Sequence, residues 1–144
     1  MIKLVTQPTD NSCVSACLSM ISGIDIDKIM EVFHDSYYNH ETTIYAFLDL
    51  HNIPYLIPDA KLPEKNFLWG GHTYLLSVPS LNIEGGLHAI LVQCDGDKLF
   101  IFDPQKGNSD KKYYADCTLT ENKVNGVALT SWIIDAVFDN GDLK

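Results

Sequence analysis

The chain has 144 residues, close to one domain's worth and long enough to bury a core without disulfide staples. Hydrophobic residues make up 46% of it and charged residues 20%, a globular balance that excludes a disordered, collagenous or coiled-coil chain. Nineteen acidic residues against ten basic ones leave a net charge of −9, and every basic residue is Lys. Without Arg or a basic face, nucleic-acid binding is not expected. The acidic surface suits a basic protein or peptide partner, or simply keeps a small protein soluble. No apolar run approaches the roughly 18–20 residues that cross a bilayer. The N-terminus meets Thr6 and Gln7 too early for a secretory signal. A cytoplasmic protein with no membrane partner is therefore expected, as one domain over residues 1–144.

The first half reads helical. Val14, Cys17, Leu18 and Ile21 recur at helical spacing, with Asn11 or Ser12 available as a cap and Gly23 as a stop. A second stripe, Ile26, Ile29, Met30 and Phe33, follows Asp25. A third, Ile44, Phe47 and Leu48, follows Thr42 and Thr43 and runs out near His51 and Asn52. All three stripes are core faces. The second half reads as strands: Ile53–Ile57, Thr73–Val78, Leu87–Gln93, Lys98–Asp103, Val124–Leu129 and Ser131–Phe138. Helices followed by strands imply an α+β fold, a helical layer packed on a C-terminal antiparallel sheet.

One hairpin carries chemistry. Asp95-Gly96 between two strand signals predicts a two-residue turn. With that pair as the loop, Cys94 faces Asp97, Ile90 faces Ile101 and His88 faces Asp103. Directly opposed residues share a face of the sheet, so a carboxylate falls beside an imidazole. A three-residue loop would put Ala89 opposite Asp103 and break the pair.

An imidazole held by a carboxylate is an oriented base and needs a nucleophile. Cys13 is the candidate, because it opens the first predicted helix, where unpaired amides and the helix dipole favour a thiolate. Cys17, one turn deeper on the apolar stripe, reads as buried and inert; Cys94 and Cys117 border turns with no evident base. With no Cys-x-x-Cys or His-x-x-x-His pair, the four Cys and five His read as free side chains, and no metal is expected. No Gly-rich phosphate loop is present either, so no cofactor is expected.

Gln7-Pro8-Thr9-Asp10-Asn11-Ser12-Cys13, followed by the helix Val14 to Ile21, resembles the opening of papain-like cysteine peptidases of the bacteriocin-processing, double-glycine leader peptidase group. In that family a Gln precedes the nucleophilic Cys by six residues. Gly86-Leu87-His88-Ala89-Ile90-Leu91-Val92 is similar to the family's His strand, and Ile101-Phe102-Asp103-Pro104-Gln105-Lys106-Gly107 to its Asp-Pro-x-x-Gly strand end. The resemblance implies a papain-like fold with Cys13 as nucleophile, His88 as base, Asp103 orienting His88, and Gln7 donating to the oxyanion. Read alone, Gln7 is a solvated loop residue. Ser12-Cys13-Val14 departs from the family's usual Asp-Cys-Gly, and no membrane span or ATPase accompanies the domain, so leader processing during export is not implied.

The expectation is a stand-alone cysteine hydrolase acting on a peptide or protein amide. The same residues suit a deamidase or a thiol acyltransferase. A non-catalytic acidic binding module on the same scaffold is the alternative from another class.

Overall fold

Helix α1 (Cys13–Ser22) stops as its sequence requires. Gly23 takes a left-handed φ of +74° and closes its N–H on the Ser19 carbonyl, a conformation that carries no Cβ penalty for glycine. Its start differs from expectation. Ser12 holds the N-cap position, but its hydroxyl accepts from the Thr9 N–H at 2.9 Å and donates to the Thr9 carbonyl at 3.0 Å. Asn11 likewise turns its side-chain oxygen to the Thr9 hydroxyl. Both candidate caps serve the preceding turn, so no side chain closes the helix amides.

The computed structural model describes residues 2–59, 61, 67–115 and 125–143. The second helical stripe is a continuous run of α2 (Ile26–Ile29), a five-residue π-helical stretch (Met30–His34) and α3 (Asp35–Tyr38). Asp25 caps it by accepting from the Asp27 N–H at 2.9 Å, and Ile29 and Phe33 are buried. Helix α4 (Ile44–Leu50) is capped by the Thr43 hydroxyl, which accepts from the Ala46 N–H at 3.1 Å. It buries Phe47 and Leu48.

Among the described residues six strands follow: β1 (His72–Pro79), β2 (Leu87–Asp95), β3 (Lys98–Phe102), β4 (Tyr113–Ala115), β5 (Gly126–Ala128) and β6 (Ile133–Asp139). Four make an antiparallel sheet in the order β3-β2-β1-β6, while β4 and β5 form a small parallel pair. Ala89 and Leu91 of β2 join Cys17, Leu18, Leu48 and Phe138 in the core under the helices. Ile90, Val92 and Cys94 pack on the other face with Tyr74, Leu76 and Tyr114. Covered on both faces, β2 carries a continuous apolar run in place of alternation. The fold is α+β, and among the described residues no helix is long and apolar enough to cross a membrane.

Three expectations need correction or bounds. Ile53–Ile57 is not a strand; only Leu56 pairs, in one antiparallel bridge with Val137. Pro54 and Pro58 flank it, and a residue without an N–H cannot extend a ladder. Of the described part of Val124–Leu129, Gly126–Ala128 is strand; residues 116–124, including Cys117 and Val124, lie outside the described residues. The hairpin loop is Gly96-Asp97, so that Asp95 pairs with Lys98, Cys94 with Leu99 and Leu91 with Phe102. Gly96 has φ +62°, as expected of a turn that needs glycine first. The register is thus two residues from the expected one. A shift of two keeps every side chain on its face, so His88 and Asp103 remain on the same side although they are not directly opposed.

A Cβ at Gly96 would meet open space, so Gly96→Ala tests the backbone alone. It should destabilise the protein by ~1–2 kcal/mol in urea unfolding, and Gly96→Asn by less. Unchanged stability in the alanine variant would remove the left-handed requirement from the hairpin.

Candidate active site

Strand β3 ends at Phe102, opposite Leu91, and leaves the edge of β2 unpaired from Ala89 back to Leu87. The N-terminus of α1 fills part of this gap. Cys13 sits there, buried, close enough to the His88 side chain and to the Ala89 and Val14 amides for each of them to lower its pKa. Amides that no side chain caps are therefore free to face a thiolate.

Asp103 is the first residue past β3. Its Oδ1 lies 2.6 Å from His88 Nε2 and accepts from the Gln105 N–H at 2.9 Å, and its Oδ2 accepts from the Tyr114 N–H at 2.7 Å. With Nε2 engaged, Nδ1 is the nitrogen left for Cys13. Asp103 is only 1% exposed, and its donors hold the carboxylate in one orientation. Gln105 and Tyr114 were not picked out from the sequence. The Asp-x-Gln spacing is a local turn signal for the first, but the Tyr114 amide arrives only through the tertiary fold.

The electrostatics follow from these contacts. Burial pushes the Cys13 thiol up, but the hydrogen bond and charge of His88, with the Ala89 and Val14 amides, bring it below its ordinary 9.0. Burial also opposes charge on His88; Asp103 and then Cys13 outweigh it and raise the imidazole from 6.5 to about 9. Each charged form favours the other, the direction expected of a thiolate–imidazolium pair. Cys17 is fully buried and its thiol is pushed well up, and burial raises Cys94 as well.

Gln7 is not a solvated residue: it is 1% exposed. Its backbone N–H donates to the Pro104 carbonyl at 2.8 Å, its carbonyl accepts from Asn108, and Thr6 donates to the Lys106 carbonyl. These bonds stitch the segment before Cys13 to the loop after Asp103, which is why it is buried. Its Nε2 donates to the Thr9 carbonyl at 2.8 Å, so the amide orientation is set, because the reverse would place oxygen against oxygen. One Nε2 hydrogen remains, and Oε1 is buried without a partner. Gln7 is not among the residues that line the cleft.

The cleft, of about 250 Å³, has Cys13 and His88 in its lining. Tyr38 forms part of one wall, and its hydroxyl donates to the Asn11 carbonyl in the loop leading to Cys13. Burial, then the Cys13 charge, push that hydroxyl up to about 12, so it stays a donor. Tyr38 packs on His34, which contacts the Ser15 hydroxyl of α1 at 3.1 Å. Among the described residues, no group of three or more His, Cys, Asp or Glu could hold a metal ion.

Iodoacetamide should alkylate Cys13 at neutral pH while Cys17 and Cys94 stay unmodified in the folded protein. The half-point of its pH profile should fall below 9. His88→Ala removes the cation and leaves burial unopposed, so the half-point should move above 9 and the rate at pH 7 should drop about tenfold or more. A rate independent of His88, read by intact mass, would show that the pair is not ionic. Compared with protein-family models, curated proteins and solved structures, the chain has no match.

Proposed function

We propose that the protein is a cysteine hydrolase, built on a papain-like arrangement, that cleaves an amide bond in a peptide or protein. The observation that carries this reading is the ordered contact from Cys13 to His88 to Asp103, with its 2.6 Å imidazole–carboxylate bond, opening on a cleft. Isolated buried Cys and His residues are commonly structural; a thiol held by a base that is held in turn by a buried carboxylate is the arrangement of an activated nucleophile.

In this mechanism the Cys13 thiolate attacks the substrate carbonyl carbon, forming a C–S bond and placing negative charge on oxygen. As the tetrahedral intermediate collapses, the C–N bond breaks and the His88 imidazolium gives its proton to the leaving amine. The thioester is then attacked by water, which loses its proton to His88; the C–S bond breaks, the acid leaves, and the Cys13 thiolate is restored beside the protonated His88. Asp103 stays ionised and holds the imidazolium in place. The uncapped amides of α1 supply donors to the oxyanion; the resemblance adds the spare Nε2 hydrogen of Gln7, although Gln7 does not line the cleft. A deamidase or an acyltransferase passes through the same thioester and differs only in which amide enters and which acceptor resolves it.

Intact-mass detection of an acyl adduct on Cys13 after mixing with peptide substrate tests the reading directly. Cys13→Ala should abolish adduct and turnover; turnover that survives would overturn it. Gln7→Ala should lower turnover about 100- to 1,000-fold with Cys13 alkylation nearly unchanged, alongside a loss of ~1–3 kcal/mol in stability from its buried position.

The alkaline side of the pH–rate profile follows from His88. Its raised pKa keeps the proton needed by the leaving amine until about pH 9, so hydrolysis should fall only above that. Asp103→Asn removes the charge that supports the imidazolium, and the fall should begin at lower pH. An unshifted alkaline limb would mean that Asp103 does not set the His88 proton affinity.

A further inference from the structure

Two residues lining the cleft are aliphatic: Ile83, from the connection between β1 and β2, and Leu87, at the start of β2 next to His88; Ser80 and Asn82 of the same connection line it as well. Ile83 is 57% exposed and Leu87 74% exposed. Two large aliphatic side chains left in solvent beside a nucleophile call for an apolar occupant.

Their presentation is built into the loop. Asn82 donates through Nδ2 to the Lys112 carbonyl and accepts from the Lys112 N–H, both at 2.9 Å, so one side chain mimics a strand pairing. The Ser80 hydroxyl accepts from the Ile83 N–H at 3.1 Å, and the Gly86 N–H closes on the Ile83 carbonyl at 3.1 Å. Ile83 is thereby held outward on a tied turn. Lys111, the one lysine lining this cleft among the described residues, lies 3.7 Å from Asp10, so beyond the Cys13–His88 pair the lining charges offset one another. A cavity of about 250 Å³ suits a side chain and the adjoining backbone.

We infer that Ile83 and Leu87 form a specificity subsite that takes a large apolar side chain of a peptide, within one residue of the bond to be cut. This inference rests on the cysteine-hydrolase reading and names its substrate class. Burying such a side chain against two aliphatic groups strips water from all three. A glycine or a charged residue at that position gains nothing from the wall. Hydrophobic pockets discriminate by about 10- to 200-fold per methylene-sized difference at best, so a preference of about tenfold or more over glycine is expected.

The test is cleavage of a defined mixture of synthetic peptides carrying Gly, Leu, Phe, Lys or Asp at single positions, with cut sites read by mass spectrometry. Cuts should lie within one residue of Leu or Phe, about tenfold faster than at the Gly, Lys or Asp counterparts. The double variant Ile83→Ser with Leu87→Ser should bring the rates within about threefold of one another, and Ile83→Leu with Leu87→Met should retain the preference. Iodoacetamide labelling of Cys13, which does not use the apolar wall, checks that the nucleophile is intact in each variant. Cleavage without apolar preference, or a preference that survives the double serine variant, overturns the subsite alone. Selective Cys13 labelling with no peptide cut overturns the peptide-hydrolase reading and the subsite with it.

Discussion

A carboxylate with 1% exposure can remain in a protein only if its lone pairs are satisfied, and at Asp103 three separate parts of the chain do so: the β2 imidazole, the Gln105 amide in its own turn and the Tyr114 amide of β4. Each donor therefore reports on the position of the others. Moving β2 against β3 would leave His88 without its partner, and moving β4 would leave the Tyr114 amide unpaired beside a buried charge. The Tyr114 hydroxyl extends the tie to the Pro79 carbonyl at 2.6 Å, where β1 ends. The imidazole is thus oriented by an interaction that also holds the end of the sheet together.

The nucleophile is brought to this point by different means. Helix α1 buries Cys17, Leu18 and Ile21 against the sheet, and that packing points its N-terminus at the gap beyond the end of β3. The segment before it is fastened at Gln7 to Pro104 and at Thr6 to Lys106. Gly107 has φ +102°, and a Cβ there would come within 2.9 Å of the Thr6 hydroxyl. The close approach of these two chain segments is why a glycine stands at that turn. On the other side, the π-helical stretch before α3 sets the rotation at which His34 turns inward to Ser15 and Tyr38 reaches the cleft. Such stretches are rare in helices and tend to occur where a side chain must be aimed.

Much of this was legible before any coordinates. Gly23 ends α1 and Asp25 and Thr43 cap their helices because local chemistry decides those points. His88 and Asp103 could be placed on one face because strand side chains alternate with a period of two, and that alternation survives an error of two residues in the turn. Cys13 was legible as a helix-start thiol by the same local logic.

What depends on the approach of distant segments was not. Whether the loop was Asp95-Gly96 or Gly96-Asp97 could not be read, because glycine serves either position and packing decides between them. The turn around Gly96 also lies against Gly70, whose Cβ would meet the Gly96 carbonyl at 2.8 Å. Gln7 read as a solvated residue because its burial is made by residues about a hundred positions away. Local propensity and side-chain periodicity are properties of short stretches, so the sequence by itself determined the helical first half, the stop of α1 at Gly23, the main strands and the shared face of His88 and Asp103, but not the lone bridge at Leu56 or the start of α1. Burial, the Tyr114 donor to Asp103 and the lining of the cleft require surfaces from separate elements to meet, and only the tertiary structure decided them.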